Sequence, residues 1–260
     1  MNSLEKIVLL PDIHHPYHDK SALSAVFSFI DYFKPNEIVL LGDAMEMRSI
    51  DHWKQEKRNI KYFEGKRLLA DYKSFDMEIL EPLSKLVGSK CRKVYMGGNH
   101  EAWAERLINS NPQLEGLLEP ENALELEKKG WKWIPYTIIK NDNHYRGMHK
   151  VGKLTVFHGN YLGKNHASQT SQSFDKSVAY GHTHDVQMFT KVHMEDPVDY
   201  HSAQSIGCLC NRAPEYKYGK PNRWVHAFGI TYVRDKGFYN LYVPIIVNGE
   251  FVFNEKLFKG

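Results

Sequence analysis

Mainly apolar runs alternate with amphipathic stretches in the first third of the chain. Residues 6–10, 37–41 and 93–96 are runs of strand length, and residues 21–33 and 65–87 have the apolar spacing of helices. Strands that are apolar on both faces and are separated by helices predict a parallel sheet.

The pattern changes after residue 100. Residues 101–150 contain polar helical segments, three prolines and a polar loop, which we interpret as a cap inserted over the working edge of the sheet. From Leu154 onward, runs of strand length dominate. Because no linker rich in Pro, Gly or Ser divides the chain, we predict one domain over residues 1–260 with two sheets packed together.

Composition narrows the class of protein. Lys and Arg total 34 against 31 Asp and Glu, so the net charge of +3 gives no general attraction to nucleic acid or membranes. Cys91, Cys208 and Cys210 are too few for a disulfide framework, and no apolar run approaches the roughly 20 residues of a membrane span. We expect a cytoplasmic protein with no membrane partner; the oligomeric state stays open.

Five short polar motifs follow apolar runs, each just beyond the end of an expected strand. Ligands of open α/β sheets bind at the carboxyl ends of the strands, so these motifs are predicted to meet at one edge. Carboxylate, imidazole and amide oxygen donors suit divalent transition metals, and two adjacent ions need a carboxylate between them, for which Asp43 is the natural choice. In chain order the motifs are Asp12-Ile13-His14, Gly42-Asp43, Gly98-Asn99-His100-Glu101, His158-Gly159 and Gly181-His182-Thr183-His184.

In this order, the motifs DIH, GD, GNHE, HG and GHTH resemble the signature of the calcineurin-like metallophosphoesterases, over residues 6 to about 207. The resemblance implies an α/β fold: a four-layered α/β/β/α sandwich of two packed mixed sheets flanked by helices, with two divalent metal ions at the carboxyl-end edge. Mn²⁺ is favoured, with Fe, Zn, Ni or Co as alternatives. One ion would be held by Asp12, His14, Asp43 and His184, and the other by Asp43, Asn99, His158 and His182.

The expected reaction is hydrolysis of a phosphate ester. A hydroxide that bridges the two ions would attack phosphorus in line, and His100 would protonate or stabilise the leaving oxygen. His100 and Asp43 are thus the predicted catalytic residues, and Asn99, Arg48 and His15 the predicted substrate contacts. For Glu101, we expect either that it orients a histidine or that it is a solvated or helix-capping residue.

The chain departs from the family pattern after Asp43. The family has GD-x-x-D-R, whereas this chain reads GDAMEMR, so that Glu46 is expected to hydrogen-bond to His100 and Arg48 is displaced by one position. The displaced arginine favours a phosphodiesterase or nuclease that acts on nucleic acid or nucleotides. The alternatives are a phosphomonoesterase of phosphoproteins or small metabolites and, in another class, a non-catalytic metal-binding interaction scaffold.

Two segments combine cations with aromatic residues, a combination that can bind DNA or RNA. Residues 48–73 contain eight basic residues and residues 211–236 contain six, although a solvated helix face and core aromatics such as Phe228 and Tyr232 explain parts of both. Residues 211–233 also resemble metallophosphoesterases of bacteriophages and related mobile elements, which implies a role near DNA replication, repair or nucleotide metabolism. Within the cap, Trp103, Arg106, Tyr145 and Arg146 are expected to set access to the metals.

Overall fold

The computed structural model describes residues 4–51, 65, 67–195, 200–214 and 219–260. Its first sheet has six strands in the order β13-β12-β1-β2-β3-β4. Strands β1 to β4 run parallel, as the apolar runs predicted for β1 to β3, and β12 and β13 add an antiparallel edge. The fourth parallel strand, β4, was not predicted, because it lies within residues 101–150. The strands are β1 (Glu5–Leu10), β2 (Glu37–Leu41), β3 (Arg92–Met96), β4 (Trp131–Ile134), β12 (Gly229–Val233) and β13 (Tyr239–Tyr242).

The second sheet has five strands in the order β10-β11-β9-β8-β7. Its centre is parallel, and both of its edges are antiparallel hairpins. The strands are β7 (Met148–Val151), β8 (Leu154–Phe157), β9 (Val178–Tyr180), β10 (Met188–Val192) and β11 (Tyr200–Ser205).

Helices cover the outer faces of both sheets. On the first sheet lie α1 (Lys20–Phe33) and a continuous helical segment made of α2 (Leu68–Phe75), the π-helical turn Asp76–Leu80 and α3 (Glu81–Val87). The helix predicted over residues 65–87 is thus confirmed from Leu68 onward. The helix α6 (His166–Gln172) packs against the second sheet. Two further helices, α4 (Ala102–Ser110) and α5 (Pro120–Ala123), follow β3.

Burial of apolar side chains explains the order of layers. Ile7, Leu9 and Val39 of the first sheet pack against Val156 and Ala179 of the second, so one apolar layer joins the two sheets. A larger core lies between the first sheet and α1 to α3, and a smaller one lies beneath α6. The expected four-layered sandwich of two mixed sheets flanked by helices is confirmed.

A side-chain cap begins α1, and a left-handed residue ends it. The Asp19 carboxylate accepts the N–H of Ala22 at 2.8 Å and so caps the first turn, and Lys34 ends the helix with φ 49°. The apolar face of α1 packs against the C-terminal hairpin of β14 (Glu250–Phe253) and β15 (Lys256–Lys259).

Residues 101–150 connect the two sheets. Between α4 and β7 the chain adds β4 to the first sheet and then forms a separate hairpin of β5 (Thr137–Lys140) and β6 (Asn143–Arg146). The role of this segment as a cap stays a prediction. Across the described parts of the chain, no helix is long and apolar enough to cross a membrane.

Candidate metal centre

The five motifs lie where the sequence predicted, beyond the carboxyl ends of β1, β2, β3, β8 and β9. Because three of these strands belong to one sheet and two to the other, the motifs face each other across the open end of the sandwich. The seven predicted ligands form one cluster at this end: Asp12, His14, Asp43, Asn99, His158, His182 and His184.

One group of donors surrounds His14 and His184. The Nε2 atoms of the two imidazoles are 3.2 Å apart, and Asp12 Oδ1 lies 3.2 Å from His184 Nε2 and 3.8 Å from His14 Nε2. Two nitrogens that bind one ion at about 2.1 Å would be roughly 3 to 3.4 Å apart at octahedral or tetrahedral angles. The spacing of the two imidazoles therefore suits one cation.

A second group surrounds His158. Its Nε2 lies 3.3 Å from Asp43 Oδ2 and 3.1 Å from Asn99 Oδ1. His182 completes the group, since its candidate donor atom and those of Asp43 and His158 all lie within 4.8 Å of one another.

Asp43 lies between the two groups. Its Oδ2 atom is 3.7 Å from His14 Nε2 on one side and 3.3 Å from His158 Nε2 on the other. Its Oδ1 atom accepts the backbone N–H of His100 at 2.9 Å, which fixes the orientation of the carboxylate. Asp43 thus has the position that a bridging ligand requires.

One buried carboxylate oxygen without a hydrogen-bond partner indicates that this cluster suits a cation. Asp12 is fully buried, and its Oδ1 atom has no hydrogen-bond partner, while Oδ2 accepts the N–H of His182 at 2.8 Å. A buried carboxylate oxygen without a partner is costly unless an ion satisfies it. Since Oδ1 faces His14 and His184, the donor set fits a divalent cation.

The backbone of these residues is unusual. Asp12, His14, Asp43, His182 and His184 all have φ between 44° and 68°, in the left-handed region. Left-handed conformations of non-glycine residues cost about 1–3 kcal/mol each and cluster at functional sites. The fold therefore holds five predicted ligands in backbone conformations that non-glycine residues rarely adopt.

Two motif glycines permit the close approach of chain to carboxylate. A Cβ atom on Gly98 would lie 2.1 Å from Asp43 Oδ1, and one on Gly181 would lie 2.3 Å from Asp12 Oδ2. Both distances are far below van der Waals contact, so no larger residue can occupy either position without moving a predicted ligand.

Hydrogen bonds at Nδ1 orient the imidazoles. His158 Nδ1 donates to the Leu41 carbonyl at 3.0 Å, and His14 Nδ1 donates to the Glu46 carboxylate at 2.8 Å. Nδ1 of His184 lies 3.6 Å from Cys210 Sγ, a neighbour that the sequence analysis did not identify. Each ring thereby turns its Nε2 atom toward the cluster, as ligating histidines do.

Electrostatics favours the metal-binding protonation state at Asp43 and His182, whereas His158 must release a proton when a cation binds. Burial alone would lower the pKa of His158, but the adjacent Asp43 carboxylate raises that pKa to about 9. Burial and the neighbouring His158 lower the pKa of His182 to about 4, so this ring is neutral. Burial would raise the pKa of Asp43, yet His158 and His100 hold it well below its usual range. A neutral imidazole and an ionised carboxylate are the forms that bind cations.

His100 lies beside the cluster with a different partner from the one expected. Its Nδ1 atom donates to the backbone carbonyl of Glu46 at 2.9 Å and is 3.7 Å from the Glu46 carboxylate, which instead binds His14. The Nε2 atom of His100 lies 3.8 Å from Asp43 Oδ2. The extra methylene of Glu46, compared with the family's aspartate, brings its carboxylate to a predicted ligand.

Glu101 lies at the N-cap position of α4 without a capping hydrogen bond from its side chain, and its carboxylate binds backbone groups instead of a histidine. It is 1% exposed, and its carboxylate accepts hydrogen bonds from the backbone N–H groups of Asp43, Met45 and Gly98 at 2.8 to 3.0 Å and from the Tyr95 hydroxyl at 3.0 Å. It therefore ties the loop after β2 to the loop after β3.

Arg48 and His15 contact residues outside the metal cluster. Arg48 Nε donates to the buried Asp71 carboxylate at 3.0 Å, and the His15 ring lies 3.3 Å from Glu78 Oε2 and stacks on His18. Their assignment as substrate contacts stays a prediction.

Aromatic rings line the rim of the cluster. Trp103 stacks on His100 with ring centroids 4.1 Å apart, and Trp224 lies edge-on to His184 at 4.3 Å. Tyr136, which the sequence analysis missed, lies 5.9 Å from His158 and is covered by the Arg146 guanidinium at 4.1 Å. Its position just beyond β4 is the signal that could have identified it.

Part of the predicted nucleic-acid surface lies outside the described residues. This applies to Trp53, Lys54, Lys57, Arg58, Lys61, Tyr62, Phe63, Lys66, Tyr216, Lys217 and Tyr218.

No family model matches the chain. The Gene 54 protein of Mycobacterium phage D29 is 26% identical over 262 residues, which cover 93% of this chain and 94% of that protein. The Gene 54 protein of Mycobacterium phage L5 is 24% identical, with the same coverage of 93% and 94%. The likeness to these phage proteins thus extends over nearly the whole chain.

Solved structures also show a likeness. A single mutant of Vps29 from Entamoeba histolytica has a TM-score of 0.46 at 12% identity and covers 98% of each chain. Vacuolar Protein Sorting 29 from Cryptosporidium parvum has a TM-score of 0.44 at 14% identity, covering 99% of this chain and 96% of that one.

Proposed function

We propose that this protein is a dinuclear metal-dependent phosphoesterase of the calcineurin-like superfamily. The observation that carries the proposal is the position of Asp43, whose Oδ2 atom lies within 3.7 Å of imidazoles from two separate donor groups. The orphaned Oδ1 atom of the buried Asp12 supports it independently.

The donors divide into two sets that share Asp43. Asp12, His14 and His184 with Asp43 would hold one cation, and Asn99, His158 and His182 with Asp43 would hold the other; Mn²⁺ is the ion we favour. When bound, such ions would polarise the phosphoryl oxygens and lower the pKa of water in the site.

Among the residues of the chain, His100 is the one that would donate a proton to the leaving group. Because its Nδ1 proton is donated to the Glu46 carbonyl, its Nε2 atom is the one that faces the centre and can carry a proton to a leaving oxygen. Trp103 stacks on the ring and restricts its rotation. His100 is 16% exposed in its side chain, enough to meet a substrate.

We propose further that the substrate is a phosphodiester of nucleic acid or of a nucleotide. Arg48 is displaced by one position from the arginine with which phosphoprotein phosphatases clamp phosphate, and its Nε donates to Asp71. Arg146 on Tyr136 offers a cation and an aromatic face beside the His158 side of the centre. The similar proteins of two mycobacteriophages are in keeping with a phage-type member.

Metal content and turnover together test the proposal. Purified protein with Mn²⁺ should contain two ions per chain and should hydrolyse bis(p-nitrophenyl) phosphate faster than p-nitrophenyl phosphate. The reverse preference would support the phosphomonoesterase. Absence of turnover with Mn²⁺, Ni²⁺, Co²⁺ or Zn²⁺ would support the scaffold. Active enzyme with fewer than two ions per chain would contradict the two-ion centre.

Two variants separate metal binding from proton transfer. Asp43→Ala should lose metal and activity together, because it removes the ligand shared by both sets. His100→Ala should retain both ions and lose roughly 10²–10⁴-fold in rate, the range of a general acid. His144→Ala, which removes an exposed histidine of β6, is the matched control and should change neither quantity. Single-stranded DNA, duplex DNA, RNA, cyclic nucleotides and dinucleoside polyphosphates then identify the substrate.

A further inference from the structure

A second polar cleft opens between the two sheets at the end opposite the metal centre. It is lined by Thr155 at the start of β8 and Ser177 just before β9, whereas the predicted ligands His158 and His182 follow the ends of the same strands. Three residues of extended chain span roughly 10 Å, so the strand length separates the two sites. The cleft has a volume of about 720 Å³, which is within the range of small-molecule sites.

Four cations line this cleft: Lys150, Lys153, Lys176 and Arg234. Within the described parts of the chain, the lining includes no Asp or Glu, and no ion pair joins any of the four to a carboxylate. Like charges gathered in a concave site without counter-ions create a positive potential that attracts anions. The positive charge is local, because the whole chain has a net charge of only +3.

Phe238 holds two of these cations in place. Lys153 Nζ lies 3.8 Å from the centroid of its ring and Arg234 Cζ lies 5.4 Å from it. The backbone fixes the same arrangement, since Lys153 N–H donates to the Gly237 carbonyl at 2.8 Å and Arg234 N–H donates to the Phe238 carbonyl at 2.8 Å. Both side chains are exposed, and their contacts with one aromatic ring favour positions close to each other.

The rest of the cleft is mainly polar and aromatic, with Met188 and Leu241 as its apolar side chains. Ser202 and Gln204 of β11 and Asn240 of β13 supply hydrogen-bonding groups, and Tyr200 and Tyr239 supply rings on the two sides. Such a lining suits a ligand that combines phosphate groups with a sugar and a flat ring.

We propose that this cleft binds a small phosphorylated molecule of the nucleoside phosphate class, with its phosphates on Lys153 and Arg234 and its ring between the two tyrosines. The site is separate from the metal centre and does not depend on the proposed phosphoesterase activity.

Calorimetric titration with ADP in the presence of EDTA tests the proposal. Without metal ions, the metal centre should not bind phosphate, so the heat measured comes from the cleft. ADP should bind, adenosine should bind at least tenfold more weakly, and the affinity for ADP should fall as salt increases. Equal affinities for ADP and adenosine, or tighter binding of a single-stranded oligonucleotide than of ADP, would overturn the proposal.

Variants locate the binding. Lys153→Ala/Arg234→Ala should weaken ADP binding by tenfold or more, since each substitution removes a charge-assisted hydrogen bond. Lys153→Arg, which retains the charge, should bind within a few-fold of the parent. Lys256→Ala is the matched control, because Lys256 Nζ also lies over an aromatic ring, that of Tyr32 at 4.1 Å, but outside the cleft. Loss of ADP binding in Asp43→Asn with full binding in the double variant would place the ligand at the metal centre and refute the inference.

Discussion

Replacing Glu101 by glutamine perturbs the site without substituting a predicted ligand. In the parent, Oε2 accepts the N–H groups of Asp43 and Gly98, and Oε1 accepts the Met45 N–H and the Tyr95 hydroxyl. The glutamine amide must replace one oxygen with a donor. The less costly orientation places the NH₂ group at Oε1, because the Tyr95 hydroxyl can rotate and accept whereas the Met45 N–H cannot.

The magnitude follows from these four contacts. One unpaired backbone N–H costs about 1–3 kcal/mol, and each of the two remaining bonds loses about 1 kcal/mol of charge assistance. Loss of a buried charge offsets part of this, which leaves a net destabilisation of about 2–4 kcal/mol. For a chain of this length, the melting temperature should fall by on the order of 10 °C.

Calorimetry and metal analysis of Glu101→Gln measure both consequences. We expect the lower melting temperature together with weaker Mn²⁺ binding, because the Asp43 backbone loses the charged acceptor that holds its left-handed conformation. Tyr95→Phe should cost less, since it removes a single donor, and Glu121→Gln, on the exposed side of α5, should change nothing. A Glu101→Gln protein that melts within about 2 °C of the parent would refute the reasoning.

Three further predictions concern packing, close approach and pH. Gly181→Ala should displace the Asp12 carboxylate, which lies 2.3 Å from the added Cβ, and lower the metal content measured by mass spectrometry, while Gly163→Ala should not. Phe29→Ala should lower the free energy of unfolding in urea by about 3–5 kcal/mol, because this fully buried ring contacts five others at 4.8 to 5.7 Å. Burial raises the pKa of Glu37, but His149 and Arg92 bring it below the ordinary 4.5. Its contribution to stability is therefore present above about pH 4.5 and lost as the pH falls, so Glu37→Gln should flatten the acid limb of the stability profile; an unchanged limb would contradict this.

The apolar pattern determined the parallel core of the first sheet. Runs that are apolar after their first residue, such as residues 37–41, can be satisfied only when both faces of a strand are covered, and β2 is buried along its whole length. The polar residues that follow such runs were predicted to meet at one edge, because each lies just beyond the carboxyl end of a strand. The structure brings them together there. Spacing along the chain is sufficient for these inferences because they depend on strand ends alone.

The tertiary structure alone decided which partner each polar group has. Nothing in the local sequence indicates that Glu46 binds His14 through its carboxylate and His100 through its carbonyl, or that Glu101 joins two loops. The cleft of Lys153 and Arg234 likewise forms from strands of both sheets. Hydrogen bonds and cation contacts depend on distances of a few ångströms between segments far apart in the chain, and only the packed fold sets these distances.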